Sequence, residues 1–260
     1  KTAPIGRAEI IAHGGGQGVR PPDTLEALDA ATEMGADALE TDVQQTADGV
    51  LVLMHDDTLD RTTNLSGKIS TLTLAQVRKA DAGDNSENPG QSFAGKGVVV
   101  PTLQEALARH PRARWTVEIK PDTSAAAETL CRDIHATHAE ARVLVASFHD
   151  KALGAFRRVC PEIATSMAQD ETRNFVLAAY VGLSRFVPTP AAAMQIPVSQ
   201  SGIDLASPRV IAAAHKRGIR VQYWTINDPA EMKRLLARGA DGLITDYVAT
   251  GRAALAKPGP

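Results

Sequence analysis

Short apolar runs alternate with longer amphipathic stretches rich in Ala and Leu along nearly the whole chain. Short runs with few charges are typical of buried strands, and the longer stretches are typical of helices. The pattern predicts strands at Ile10–His13, Ala38–Val43, Leu51–Met54, Trp115–Lys120, Val143–Phe148, Ile163–Met167, Met194–Val198, Val221–Ile226 and Leu243–Thr245. It predicts helices at Thr24–Met34, Ser124–His138, Pro208–Arg217 and Pro229–Ala237. Repeated alternation of strand and helix favours a parallel sheet covered by helices.

An internal repeat narrows the choice of sheet. Residues 35–42, with the sequence GADALETD, return as residues 239–246, with the sequence GADGLITD. The copies are roughly 200 residues apart, which six βα units of about 34 residues would fill, and eight such units make a TIM (β/α)8 barrel. We therefore predict an α/β fold, with residues 1–260 as one TIM barrel. A doubly wound open sheet is the alternative, because periodicity does not show closure.

The alternation breaks between Asp57 and Val100. Leu65–Gly67 and Gly83–Gly97 are rich in Gly, Asn and Ser, and only one short helical pattern, Leu74–Ala80, lies between them. We predict that residues 57–100 form a small cap-like subdomain inserted into one βα unit, where such excursions often line the active site.

Composition excludes several classes of protein. Lys and Arg number 28 against 30 Asp and Glu, so no excess of positive charge is available for nucleic-acid binding. The longest apolar run, Phe175 to Leu183, is far shorter than the ~20 residues of a membrane span. Cys131 and Cys160 either pair or stay free, and two cysteines do not make a disulfide scaffold. The chain begins at Lys1 rather than Met, which favours a processed, secreted or periplasmic protein; the oligomeric state is left open.

Three motifs imitate known sites, and we reject each of them. The GxxxxGK stretch at residues 90–96 lacks the Ser or Thr of a P-loop and is followed by a Val run instead of a helix. The HGGG stretch at residues 13–16 resembles the oxyanion loop of esterases, but the chain has no G-x-S-x-G nucleophile motif. Cys131, His135 and His138 share one helix face without a fourth ligand nearby, so an ordinary surface helix is favoured.

Acidic residues end two of the predicted strands. Glu40 and Asp42 are two residues apart on one strand, so their side chains point to the same side. Glu118 and Lys120 repeat this spacing on another strand. Inward carboxylates repel one another unless a cation or a proton compensates them, and three carboxylates favour a hard ion such as Mg²⁺ or Ca²⁺. A structural salt-bridge network around Lys120 explains the same residues equally well.

Two histidines lie near the same predicted strand ends. His13 ends the first strand, and His55 follows the strand at Leu51–Met54. Barrel enzymes place catalytic groups at the carboxyl ends of their strands. One histidine there is commonly a packing residue, but two that converge with three carboxylates and Lys120 are harder to explain as packing. A metal with a pair of imidazoles suits general acid–base cleavage of a phosphate ester.

A series of motifs in a fixed order covers essentially the whole chain. They are HGG at 13–15, TLxA at 24–27, GADxxExDVxxTxDG at 35–49, HD at 55–56, RTT at 61–63, PTL at 101–103, ExK at 118–120, WTxN at 224–227 and GxDGxxTD at 239–246. This series resembles the glycerophosphodiester phosphodiesterase family. The resemblance implies a TIM barrel with a small inserted subdomain and one bound divalent cation, Mg²⁺ or Ca²⁺. It assigns the cation to Glu40, Asp42 and Glu118, and the acid–base pair to His13 and His55.

The resemblance also implies substrate contacts. Lys120 would contact the phosphate, and Trp224 would form a wall on the leaving-group or acyl side of the pocket. The chain departs from the family at Gly14, where the family usually has Arg, and at residues 21–24, which read PPDT instead of Pro-Glu-Asn-Thr. These departures bear on substrate choice more than on reaction class, because every proposed metal ligand and both histidines are present.

We therefore predict a metal-dependent phosphodiesterase that hydrolyses glycerophosphodiesters to an alcohol and glycerol phosphate. Within this class, a lysophospholipase D is the alternative, because small glycines at positions 14–16 would leave room beside the phosphate for a larger group. From a different class, the alternative is a catalytically silent barrel that binds phosphorylated ligands. The joint presence of three carboxylates and two histidines favours the enzyme.

Overall fold

The structure of the protein is a computed structural model that describes residues 7–83 and 93–256. Residues 84–92 of the predicted excursion, including Gly90 of the rejected P-loop motif, lie outside the described residues. The strands are β1 (Glu9–Ala12), β2 (Ala38–Gln45), β3 (Leu51–Leu53), β4 (Trp115–Ile119), β5 (Val143–Ala146), β6 (Ala164–Thr165), β7 (Ala193–Ile196), β8 (Ser199–Gln200), β9 (Ile203–Asp204), β10 (Arg220–Tyr223) and β11 (Gly242–Thr245). The α-helices are α1 (Leu25–Glu33), α2 (Leu74–Val77), α3 (Leu103–Arg109), α4 (Ser124–Ala136), α5 (Asp150–Val159), α6 (Gln169–Tyr180), α7 (Pro208–His215), α8 (Pro229–Arg238) and α9 (Val248–Leu255).

Eight parallel strands form a ring. Their order is β6-β5-β4-β2-β1-β11-β10-β7, and a parallel bridge between Ser166 and Ala193 joins the two ends. The amide of Met167 donates to the carbonyl of Ala193 across this closure, at 2.8 Å. The predicted TIM (β/α)8 barrel is therefore confirmed, and the alternative of an open sheet is wrong.

Local sequence signals fix several of the helix ends. The Thr24 hydroxyl accepts a hydrogen bond from the amide of Ala27 at the start of α1, and Asp228 caps α8 in the same way. These caps pair amides that have no partner inside the helix. Gly239 ends α8 with a φ of 98°, a left-handed conformation that glycine adopts without steric cost. The helices thus end where the next barrel strand must begin.

The internal repeat corresponds to two equivalent strands of the barrel. The first copy runs from the end of α1 into β2, and the second runs from the end of α8 into β11. These are the second and eighth strands of the ring in chain order, so six βα units separate them, as the repeat predicted. Because β1 lies between β2 and β11, the last residues of the two copies, Asp42 and Asp246, flank His13 at the end of β1.

One predicted strand lies outside the ring. The strand β3 pairs with the last residues of β2 in antiparallel register, with Leu53 opposite Val43. Residues 44–45 continue β2 beyond its pairing with β4, and β3 then runs back toward the rim, where the amide of Met54 donates to the carbonyl of Asp42. The expectation that His55 follows a barrel strand is therefore wrong. His55 reaches the rim through this antiparallel return.

The segment after β3 has its own set of buried residues. Leu59, Ile69, Val77, Ala80 and Val98 are buried in a cluster with Val52 and Met54. The short helix α2 ends earlier than the helical pattern at Leu74–Ala80 predicted. The interpretation of residues 57–100 as an inserted subdomain stays a prediction.

The cysteines are paired. Cys131 on α4 and Cys160, directly after α5, form a disulfide. This bond joins two neighbouring helices of the outer layer. No helix in the described ranges has both the length and the apolar composition of a membrane span.

Candidate active site

A cavity of about 590 Å³ opens at the carboxyl ends of the barrel strands. This is the face where TIM barrels place their reacting groups. Every site residue predicted from the sequence lines this one cavity. They are His13, Glu40, Asp42, His55, Glu118, Lys120 and Trp224.

Three carboxylates meet at the floor of the cavity because two adjacent strands hold them in register. Asp42 on β2 lies directly opposite Glu118 on β4, and Glu40 precedes Asp42 by two residues. One oxygen from each of the three carboxylates lies within 4.8 Å of the others. Glu40 and Asp42 are buried, with exposed fractions of 5% and 3%. The amide of Gly14 donates to Glu40 Oε2 at 2.8 Å.

One lysine side chain faces these acids. Lys120 Nζ lies 3.0 Å from Asp42 Oδ1 and 3.0 Å from Glu118 Oε1. Burial alone lowers the pKa of Lys120, but the charges of Asp42 and Glu118 outweigh it and raise that pKa above its usual value. Lys120 is therefore a cation, and it compensates one of three negative charges.

Burial and the negative charge that Lys120 does not compensate raise the pKa values of two of the acids, Glu40 and Glu118. Burial, followed by the charge of Asp42, raises the pKa of Glu40 to about 8. The same two causes raise the pKa of Glu118. A buried group of hard oxygen donors with too little positive charge fits a divalent cation, which stabilises all three carboxylates in their ionised form.

His13 is held by a chain of polar side chains from the last part of the barrel. Its Nδ1 lies 2.7 Å from Asp246 Oδ1. Gln17 Nε2 donates to the same oxygen at 2.9 Å, and Asn227 Nδ2 donates to Asp246 Oδ2 at 2.6 Å. Asp246 thus accepts hydrogen bonds at both oxygens, which fixes its orientation and that of the imidazole. This arrangement leaves His13 Nε2 as the nitrogen available for proton exchange.

The charge around His13 favours its protonated form. Burial lowers the pKa of His13, but the hydrogen bond to Asp246 and the charges of Glu40 and Asp42 outweigh it and raise that pKa to about 9. Two of these charges belong to the proposed cation ligands. The imidazole and the acidic cluster therefore form one electrostatic unit.

His55 has a separate support at the opening of the cavity. Its Nδ1 lies 2.7 Å from Asp56 Oδ1. Arg61 binds the same carboxylate with two parallel hydrogen bonds, of 2.6 and 2.9 Å. The hydrogen bond from Arg61 is the largest cause that lowers the pKa of Asp56, to about 2. His55 is about half exposed, whereas His13 is mostly buried.

The two departures from the family pattern are neighbours in the structure. The amide of Asp23 donates to the carbonyl of Gly14, and Asp23 Oδ1 accepts a hydrogen bond from Thr41 Oγ1 at 2.7 Å. Burial and the charge of Asp42 raise the pKa of Asp23 to about 6. A Cβ atom at position 14 would meet Gln17 Oε1 at 3.3 Å and Pro22 Cβ at 3.6 Å.

The width of the cavity does not come from the glycines. None of Gly14, Gly15 and Gly16 lines the cavity, and Gly15 packs against the start of α1. The interpretation that these small residues widen the pocket is therefore wrong. The glycines instead make a tight left-handed turn, with φ values of 52°, 75° and 84°.

Apolar side chains widen the cavity on its other side. We define the apolar arm as the residues that extend the cavity away from the carboxylates between β5, α6 and the β7–α7 segment. They are Phe148, Met167, Val176, Leu177, Ile196, Ile203 and Leu205. The ring of Trp224 contacts Phe148 edge to face, with 5.7 Å between the ring centroids. Trp224 thus lies where the polar floor meets the apolar arm.

The residues that orient the two histidines were not among the predicted site residues. Asp246, Asn227, Gln17, Asp56 and Arg61 had no assigned role, although most belong to the motifs of the family. One signal was available, because Asp246 occupies the position of Asp42 in the second copy of the repeat. Because β11 is equivalent to β2, the carboxylate of Asp246 at its end is expected on the same rim of the barrel as Asp42.

Comparisons with known proteins agree with this geometry. A model of the glycerophosphoryl diester phosphodiesterase family matches residues 13–250. A glycerophosphodiester phosphodiesterase of Caldanaerobacter subterraneus is 30% identical over 242 residues, which cover 91% of this chain and 93% of that protein. Human lysophospholipase D GDPD3 is 25% identical over 280 residues, covering 99% of this chain and 88% of that protein.

The fold is also similar to that of a solved structure. A phosphodiesterase of Oleispira antarctica, in complex with the product sn-glycerol-3-phosphate, has a TM-score of 0.77 and 26% identity. The match covers 95% of this chain and 96% of that chain. The barrel and the ordered motifs lead to the same conclusion as these matches, and the predicted family is confirmed: the chain belongs to the glycerophosphoryl diester phosphodiesterase family.

Proposed function

We propose that the chain hydrolyses glycerophosphodiesters to an alcohol and glycerol phosphate, with one divalent cation and two histidines. The observation that carries this proposal is the convergence of three carboxylates, two of them buried, and two imidazoles on one cavity. The name of the Caldanaerobacter relative and the product bound to the Oleispira enzyme support the choice of substrate.

Glu40, Asp42 and Glu118 are the proposed ligands of the cation. When bound, a Mg²⁺ or Ca²⁺ ion neutralises charge on the phosphate oxygens and makes the phosphorus more susceptible to attack. Lys120 would offer the phosphate a second positive charge, since its ammonium group lies 3.0 Å from two of the proposed ligands. Together they take over the role of the arginine that Gly14 replaces.

His13 and His55 are the proposed acid–base pair. One of them would give a proton to the leaving alcohol oxygen, and the other would remove a proton from the attacking nucleophile. Each imidazole has its Nδ1 next to a carboxylate, Asp246 for His13 and Asp56 for His55. This pairing fixes the ring and directs proton exchange to Nε2.

The apolar arm favours a second candidate function, that of a lysophospholipase D. A free glycerol or choline group has no use for a groove lined by aliphatic side chains, whereas a single acyl chain would bury its methylene groups there. Leu177 is half exposed, at 51%, and lines the arm. Trp224 would then separate the phosphate from the acyl chain.

Substitution of Leu177 tests this second candidate. We expect Leu177→Asn to lower kcat/KM for lysophosphatidylcholine about tenfold, because a contact worth ~1.4 kcal/mol is lost. The value for glycerophosphocholine should change less than about twofold. Leu183→Asn is the matched control, because Leu183 is equally exposed, at 51%, and does not line the cavity. Equal losses for both substrates would rule out an acyl site at Leu177.

A product assay tests the proposed function itself. The protein is incubated with glycerophosphocholine and with lysophosphatidylcholine in parallel, and the phosphorus-containing products are identified. Glycerol phosphate from the first substrate supports the proposal, and lysophosphatidic acid from the second supports the lysophospholipase candidate. Binding of both compounds without any product would favour the catalytically silent barrel.

A further inference from the structure

A second cluster of metal-binding side chains lies in the outer helical layer, where α4 and α5 end. Cys131 and Cys160 are joined there as a disulfide, and the ring of His135 lies beside them. The ligand atoms of Cys131, His135 and Cys160 lie within 4.8 Å of one another. None of these residues lines the active-site cavity.

A fourth candidate ligand, Glu162, lies beside the histidine. His135 Nε2 lies 3.0 Å from Glu162 Oε1 and 3.6 Å from Cys160 Sγ. In a tetrahedral zinc site with bonds of ~2.3 Å to sulfur and ~2.0 Å to nitrogen or oxygen, these edges would be about 3.3 Å and about 3.6 Å. The distances from the imidazole nitrogen to the Glu162 oxygen and to the Cys160 sulfur are therefore close to those of a zinc site, whereas the two sulfurs are bonded to each other and would have to separate to hold a metal.

The imidazole is oriented as a metal ligand commonly is. His135 Nδ1 lies 2.9 Å from Glu140 Oε1, which leaves Nε2 directed to the sulfurs and Glu162. Metal-binding histidines usually donate their other ring nitrogen to a carboxylate in this way. The hydrogen bond to Glu140 therefore holds the ring with Nε2 on the side of the sulfurs.

Sequence analysis rejected this helix as a metal site for want of a fourth ligand. It considered Cys131, His135 and His138, which share α4 and the turn after it. The fold adds Cys160 to the cluster, places Glu162 beside His135, and leaves His138 outside the cluster. The missing ligands come from a part of the chain that sequence spacing alone did not relate to α4.

We propose that reduction of the Cys131–Cys160 disulfide creates a Zn²⁺ site formed by Cys131, Cys160, His135 and Glu162. A dithiol reductant would supply two electrons and two protons: the bond between the two sulfurs breaks, and the reductant closes its own disulfide. Binding of Zn²⁺ then displaces the two thiol protons. The disulfide and the zinc ion are alternative cross-links between α4 and α5, each formed when the other is absent.

The burial of the cluster agrees with this exchange. Cys160 is fully buried and Cys131 nearly so, whereas His135 and Glu162 are about half exposed. The metal would therefore enter from the side of His135 and Glu162 and meet the sulfurs beneath them. Two buried thiolates with a shared cation avoid the cost of isolated buried charges.

Cobalt spectroscopy tests the proposal. The purified protein is reduced with a phosphine, which takes oxygen from water as it becomes the phosphine oxide, and the excess is removed under anaerobic conditions. Because the active-site carboxylates can take one ion, Co²⁺ is added up to two equivalents, and we expect it to give a thiolate-to-cobalt charge-transfer band in the near ultraviolet that Zn²⁺ abolishes. The carboxylates of the active site lack sulfur and cannot produce this band, so failure of the proposed function leaves this test intact.

Matched variants identify the ligands. His135→Ala and Glu162→Gln are each expected to weaken Co²⁺ binding by at least about tenfold. His138→Ala, at an exposed position just after the same helix, should bind Co²⁺ like the unchanged protein. A reduced protein with two titratable thiols and no charge-transfer band would overturn the proposal. So would a band of the same strength and affinity in both ligand variants.

Discussion

Asp42→Asn is expected to lower kcat for glycerophosphodiester hydrolysis by about a thousandfold. Asp42 lies between Glu40 and Glu118 and is one of the proposed ligands of the cation. Loss of one carboxylate weakens the site that stabilises charge on the phosphate, a contribution of several kcal/mol in metal-dependent enzymes, or about tenfold for each 1.4 kcal/mol. The measurement is the steady-state rate with glycerophosphocholine at saturating Mg²⁺ or Ca²⁺, together with the metal content of the variant.

Asp122→Asn is the matched control for this substitution. Asp122 follows β4 closely, two residues after Lys120, but it is exposed and does not line the cavity. We expect it to keep its rate within about twofold, because exposed substitutions away from a site rarely matter. If Asp42→Asn retained its metal and its rate while folded, Asp42 would not be a ligand.

His13→Ala and His55→Ala are each expected to lower kcat by about 10²–10⁴-fold, the contribution that a general acid or base commonly makes. The metal content should stay at one equivalent, because neither imidazole belongs to the proposed ligand set. Added imidazole should restore part of the rate if the lost group exchanged protons. Rates are measured across a pH series, with the fold checked by circular dichroism.

His138→Ala serves as the control for the two histidines. His138 is exposed and lies far along the chain from both of them, in the turn after α4. A variant of His13 or His55 with nearly the rate of this control would identify that residue as a packing histidine. The two outcomes are independent, since Asp246 supports His13 and Asp56 supports His55.

Much of the fold and of the floor of the site follows from the sequence for a physical reason. Residues two apart on a strand have their side chains on the same face, so the sequence predicts that the carboxylates of Glu40 and Asp42 point to the same side. The repeat at residues 35–42 and 239–246 favoured an eight-stranded barrel over an open sheet, and a barrel places the carboxyl ends of β2 and β4 at one rim. The in-register pairing of Asp42 with Glu118 then completes the floor.

The remaining parts depend on contacts between segments far apart in the chain. His55 lies at the rim only because β3 turns back along the end of β2. The apolar arm is lined by residues of α6, of β7 and of the segment that follows β7, and no local pattern relates these pieces. The same is true of Glu162 beside His135. The inserted subdomain at residues 57–100 stays a prediction.

The most direct test of the account is the dependence of turnover on a divalent cation. Phosphorus NMR follows glycerophosphocholine after exhaustive chelation of the protein and again after one equivalent of Mg²⁺ or Ca²⁺ is restored. We expect no glycerol phosphate from the chelated protein, and its steady appearance, with release of choline, once the ion is returned. Full conversion by protein that contains no metal by elemental analysis would contradict the proposed role of Glu40, Asp42 and Glu118.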